Sequence, residues 1–207
     1  MISPARNLEK DRGERPPVAL RDRAMDNLRY IRETMERSAA FTHVSGLGGV
    51  GMGVVALAAA ALASRATTSG GWLAIWLGAA LISFAVSALM MARKSHAEGV
   101  PLLSGPGRRF AWNMIPPLAA GGVLTAALAR AGDFGLLPGT WLLLYGVSIV
   151  TGGSYSVRLI PSMGVVFMVL GLAALASPVE WGNAYMALAF GGLHIVFGLV
   201  IWRKHGG

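Results

Sequence analysis

Residues 72–92 read WLAIWLGAALISFAVSALMMA, without one Asp, Glu, Lys or Arg. A bilayer core about 30 Å thick needs about 20 apolar residues wound as a helix, and this run supplies them. A soluble core helix of that length would show a polar face; this run has none. The charge-free stretch around it extends over 66–92, and five others resemble it: 38–64, 110–129, 134–157, 159–179 and 181–202. The expected fold is therefore all-α, a polytopic membrane protein with a six-transmembrane-helix bundle. Its spans are expected near Ala40–Leu62, Trp72–Ala92, Phe110–Ala129, Leu136–Tyr155, Leu159–Ala176 and Asn183–Trp202.

Composition agrees. Of 207 residues, 54% are hydrophobic and 14% are charged, where a soluble domain carries roughly a quarter charged residues. The net charge of +8 raises a nucleic-acid reading. Its placement argues against one, because the basic residues flank the apolar runs. The absence of cysteine excludes disulfides, thiolate zinc sites and a cysteine nucleophile.

Upstream of the first run, charges crowd into the first 37 residues. Residues 1–22 are expected to be a disordered, charged cytoplasmic tail. Over 23–38 the pattern changes. Met25, Leu28, Ile31 and Met35 recur at helical spacing, with Asp26, Arg29, Arg32, Glu33, Glu36 and Arg37 on the other face. This predicts an amphipathic cytoplasmic helix that runs on into the first span. The first apolar run, from near Ala39, is too long for a signal-peptide core and is expected to be a retained span. The transmembrane domain is then 39–203, followed by a short tail, 204–207.

Orientation follows from the basic residues. With the N-terminus inside, sixteen of the eighteen Lys and Arg fall on the cytoplasmic side; Arg65 and Arg130 alone fall outside. Six spans return the C-terminus to the same side. Trp72, Trp141 and Trp181 are expected at the outer headgroups, with Trp112 and Trp202 at the inner ones. The two halves of the chain show no internal repeat of the kind common in transporters.

Four features carry what chemistry the sequence offers. Ser45, Gly49 and Gly53 lie four apart in the first span, a small-residue stripe that lets helix backbones approach closely in lipid. Packing against a neighbouring span is the first expectation, and a homodimer interface the second. His194 lies near mid-membrane in the sixth span, a depth at which an ionisable group faces the protein interior and marks a candidate site; a neutral imidazole donating to a backbone carbonyl or a serine hydroxyl is the first expectation, and a proton relay, a metal or haem ligand or a catalytic base the alternatives. Together with His43, at the start of the first span, it would form a haem or metal pair; the leading expectation is no cofactor. In the third span Asn113 precedes Pro116-Pro117, and proline removes backbone donors, so the freed carbonyls need partners or line a polar cavity. Ser148, Thr151 and Ser154 make the end of the fourth span the most polar in the chain; hydrogen bonding to neighbouring helices is the first expectation, and a small ligand-binding pocket opening to the cytoplasm the second.

Six spans with Gly146-Val147-Ser148 in the fourth and a histidine in the sixth resemble the layout of rhomboid intramembrane proteases, in which a Ser–His pair supports acyl chemistry. The departures are Ile149 in place of the motif's second glycine, a second span without His or Asn, and a short first connection. An enzymatic role is left open, behind the non-enzymatic readings. The segments Met25–Arg37 and Phe190–Gly198 resemble a group of bacterial six-span inner-membrane proteins without an assigned activity. The resemblance implies the bacterial inner membrane as location and brings no site residue with it. The functional expectation is a non-enzymatic regulatory, sensory or scaffold module, touching lipid and a cytoplasmic protein partner and not nucleic acid. The alternative is a small transporter or ligand-binding bundle built on His194 and the polar groups of spans three and four.

Overall fold

The computed structural model describes residues 17–38, 41, 44–99, 101–102 and 105–205. The protein is all-α, with six helices long and apolar enough to cross a membrane. The chain forms two units, one up to Ala39 and one from Ala40 onward.

The first unit is helix α1, Pro17–Ser38. It starts earlier than the sequence pattern suggested, so residues 17–22 are helical, not tail. Proline is well suited to a first helical turn, where its missing N–H goes unused. Residues 1–16 lie outside the described part. Met25, Leu28, Tyr30, Ile31 and Met35 are 52–70% exposed.

The second unit holds the spans α2 (Gly46–Ala63), α3 (Ser69–Glu98), α4 (Gly105–Ala131), α5 (Leu137–Gly153) and α6 (Leu159–Ala176). The sixth span, Val179–Lys204, is composite. A short 3-10 turn and α7 (Gly182–Met186) lead into a π-helical segment at Ala187–Leu193, then α8 (His194–His205). The expected continuity of α1 with the first span does not hold. Ser45 caps a new helix, its hydroxyl accepting the Gly48 N–H at 3.1 Å. Helix α3 outruns its apolar stretch to Glu98, because the backbone stays helical until Gly99 closes it at φ +67°, a conformation glycine adopts without strain. The connection to α4 is correspondingly shorter than the seventeen residues expected.

Two glycine seams set the packing. Along α2, a Cβ at Gly46 would fall 2.6 Å from the Gly198 carbonyl oxygen, and one at Gly53 would fall 2.7 Å from that of Gly191. Along α5, Cβ atoms at Gly139 and Gly146 would meet the carbonyl oxygens of Gly171 and Gly164 at 3.0 and 2.7 Å, and the reverse pairs meet at the same distances. The backbones thus touch, as small residues permit in lipid. α2 packs with α3 and with α8, and α5 with α4 and α6. The result is two three-helix halves, spans one, two and six against spans three, four and five. Between them lie Tyr145, Phe167 and Phe190, with Trp72 stacked on Trp141 at 5.6 Å. At one end of the bundle, Arg93, Lys94, Arg108, Arg109, Arg158 and Arg203 close the helices; this is called the basic end below. There Phe41 is buried against Phe110 and Ile201, its N–H donating to the Tyr155 carbonyl at 2.6 Å.

Candidate functional site

The sixth span places His194 in the seam between the halves. The π-helical turn before it contains Gly191-Gly192, and such turns concentrate at functional positions. His194 is 4% exposed. Its Nδ1 lies 3.0 Å from the Phe190 carbonyl oxygen, and its Nε2 lies 2.7 Å from the Tyr145 hydroxyl. A carbonyl only accepts, so Nδ1 carries the proton; in a neutral ring Nε2 then accepts from the tyrosine O–H. Both polar groups are satisfied where an unpaired one would be costly. Phe190 stacks on the imidazole, with ring centres 6.1 Å apart and planes 13° apart, while Phe167 meets it edge-on at 5.4 Å. The pair bridges spans four and six inside a shell of carbon.

The polar residues of spans three and four gather elsewhere, along the contact of α4 with α5. Pro117 has no N–H to offer the Asn113 carbonyl, four residues back. Thr151 fills the vacancy, its hydroxyl 2.8 Å from the Asn113 oxygen. The same hydroxyl lies 2.9 Å from the Val147 carbonyl, so one proton is shared. Ser148, fully buried, donates to the Met114 carbonyl at 2.9 Å. The Asn113 side-chain amide donates to the Arg109 carbonyl at 2.8 Å. Ser154, exposed, donates to Val150 in its own helix at 2.8 Å. Asn113, Ser148 and Thr151 therefore come together as fasteners between helices, and His194 is not among them. No hydrogen bond joins Ser148 to His194, and Gly146 serves the α5–α6 seam. The serine–histidine contact that acyl chemistry needs is not formed.

His43 lies outside the described residues, so its pairing with His194 has no structural counterpart here. Both nitrogens of His194 are engaged within the protein. Among the described residues no cluster of three or more His, Asp or Glu stands ready for a metal ion. Of the expected small-residue stripe, Gly49 and Gly53 face the sixth span, where a Cβ at Gly49 would come 3.2 Å from the Gly198 Cα. Ser45 acts as a cap, and Gly46 extends the stripe in its place.

Two features escaped the sequence reading. Tyr145 is the first. It reads as one more aromatic in an apolar run, although a tyrosine hydroxyl at that depth demands a partner. The second is Asn183, near the end opposite the basic one. Its side-chain oxygen accepts the indole N–H of Trp72 at 3.3 Å and of Trp76 at 3.1 Å. Its amide donates to the Ala60 carbonyl at 3.0 Å. Trp141 donates to the Thr125 hydroxyl at 2.7 Å. Trp72 and Trp141 thus turn inward and join the halves, while Trp181 is exposed as a headgroup anchor would be. Comparison with known proteins returned no matching family model, no matching curated protein and no matching solved structure.

Proposed function

We propose that the protein is a non-enzymatic regulatory or sensory module of a bacterial inner membrane. Both termini lie in the cytoplasm, and the module acts through a cytoplasmic protein partner. The observation that carries the proposal is α1, 22 residues long, with Asp22, Asp26 and Arg29 exposed on the face opposite Leu28, Ile31 and Met35. A charged face on a helix tied directly to a membrane bundle suits reversible recognition, since rim charges steer encounter and set specificity. The orientation rests on the excess of Lys and Arg at the N-terminal side. The alternative, a transporter or ligand-binding bundle, has less support. Asn113, Ser148, Thr151, Tyr145 and His194 all spend their hydrogen bonds inside the protein.

The test is photo-crosslinking in cells from residues 22, 26 and 29 of the full chain. A discrete cytoplasmic polypeptide should be captured there and not from lipid-facing positions such as Leu81 and Phe84. Removing residues 1–38 should abolish the adduct and leave the thermal unfolding of the bundle unchanged. If the bundle unfolds without α1, the helix is structural and the proposal fails.

A further inference from the structure

The apolar row of α1 has a different occupant from its charged face, and we infer that this occupant is the bilayer surface: α1 lies flat in the headgroup layer, with Met25, Leu28, Ile31 and Met35 turned into the lipid. This goes beyond the partner proposed above and does not depend on it.

Four observations converge. First, the row is continuous. Met25, Leu28, Ile31 and Met35 recur at intervals of three and four, with Ala24 four before Leu28, so they share one side of a helix with 3.6 residues per turn. All five are exposed among the described residues. Second, the opposite side carries Asp22, Asp26 and Arg29, also exposed. Asp26 therefore sits opposite Leu28, Ile31 and Met35, away from a negatively charged membrane surface, with Asp22 at the flank. Third, the tether is short. Only three peptide steps separate Ser38 from Phe41, whose ring is buried beside Phe110 at the basic end. Three residues span at most about 11 Å, so the tether leaves the bilayer within reach of the end of α1. Fourth, α1 is too polar to span. It lies outside the six candidate crossings, and low overall hydrophobicity with a strong apolar side is the signature of an in-plane helix. A helix of 22 residues is about 33 Å long, enough to lie across several lipid headgroups.

A coiled-coil pairing of two copies through the same row is the competing arrangement. It has less to work with. Leu28, Ile31 and Met35 fill fewer than two heptads, whereas stable zippers sustain the pattern for at least three or four.

The chain has no cysteine, so single cysteines can be placed in the full-length protein without a background to remove. Spin labels at Met25→Cys, Leu28→Cys, Ile31→Cys and Met35→Cys, and at Asp22→Cys, Asp26→Cys and Arg29→Cys, are read in nanodiscs of phosphatidylcholine mixed with phosphatidylglycerol. Collision with oxygen and with a water-soluble nickel chelate reports depth. The row should lie about 5–10 Å below the phosphate level, and the acidic side should remain in water, so that depth oscillates with the helical period. Equal water exposure at all seven positions would overturn the inference. So would a row shielded from both reagents, with dipolar broadening between copies, since that is the dimer. Loss of the crosslinked polypeptide with preserved depth oscillation would refute the partner alone. A retained adduct with no oscillation would refute the membrane contact alone.

Discussion

Substituting Gly164 by alanine tests the seam between α5 and α6 where its backbones approach most closely. The new Cβ would sit 2.7 Å from the Gly146 carbonyl oxygen, 2.8 Å from Val150 Cγ2 and 2.9 Å from the Val150 nitrogen. The closest of these is about 0.7 Å short of the 3.4 Å at which ordinary contact begins. Two of the three atoms are backbone, so a rotamer change relieves little and the helices must separate. Overpacking of this kind costs typically 1–3 kcal/mol, and the severity here argues for about 2–3. Alanine returns about 1 kcal/mol through its better helix propensity. The net loss should be about 1–2 kcal/mol. Gly122→Ala is the control. A Cβ there meets nothing within 4 Å, so only the propensity gain of up to about 1 kcal/mol remains. Reversible unfolding in mixed micelles, followed by helical circular dichroism, reads both. The two variants should move in opposite directions. A Gly164→Ala protein as stable as the parent would show that the helices do not touch there, and the glycine-seam account of the fold would fall.

Two further outcomes follow from the hydrogen bonds. Thr151→Val removes the donor that serves the Asn113 carbonyl and should cost about 0.6–1.7 kcal/mol, the range measured for such bonds in membranes. In a Pro117→Ala background the restored N–H serves that carbonyl, so the cost of Thr151→Val should shrink. Additive losses in the double-mutant cycle would refute the substitution of threonine for the missing proline donor. Asn183→Leu strips the partners of Trp72, Trp76 and Ala60 at once. About 2 kcal/mol of stability should go, accompanied by a shift in tryptophan emission as the indoles lose their acceptor. Unchanged emission would mean that the indole contacts are not made.

The six spans were legible because lipid imposes a length that composition alone reveals. Trp72–Ala92 is as plain as any crossing, and the structure differs from it only at the ends. There the helix continues past Arg93 and Lys94, since charged residues end a hydrophobic run and not a helix. The break between α1 and α2 was less legible. Ser45 is a good cap by type, but its serine-glycine surroundings read equally well as a packing stripe. Which stripe met which could not be read at all. Gly139 and Gly146 stand seven apart, as do Gly164 and Gly171, yet the spacing names no partner, because in lipid the choice rests on shape. At the candidate site, the depth of His194 was apparent and its partner was not. Tyr145 looks like core until a histidine is found opposite it. The π-helical turn is invisible to periodicity, since a single extra residue leaves an all-apolar run unchanged. Asn113, Ser148 and Thr151 drew attention by polarity. Pro117 explains Thr151 better than a ligand does, because a carbonyl deprived of its N–H needs a hydroxyl from next door.

The two glycine seams have a mechanical consequence. Within each half, main chain lies against main chain, and neither helix can slide without lifting a carbonyl over an α-carbon. Between the halves the contact is made by rings, which re-pack by turning. The six-span unit is thus two glycine-seamed halves, with the Tyr145–His194 bond among the links between them. The π-helical turn beside His194 sets its extra residue at that joint.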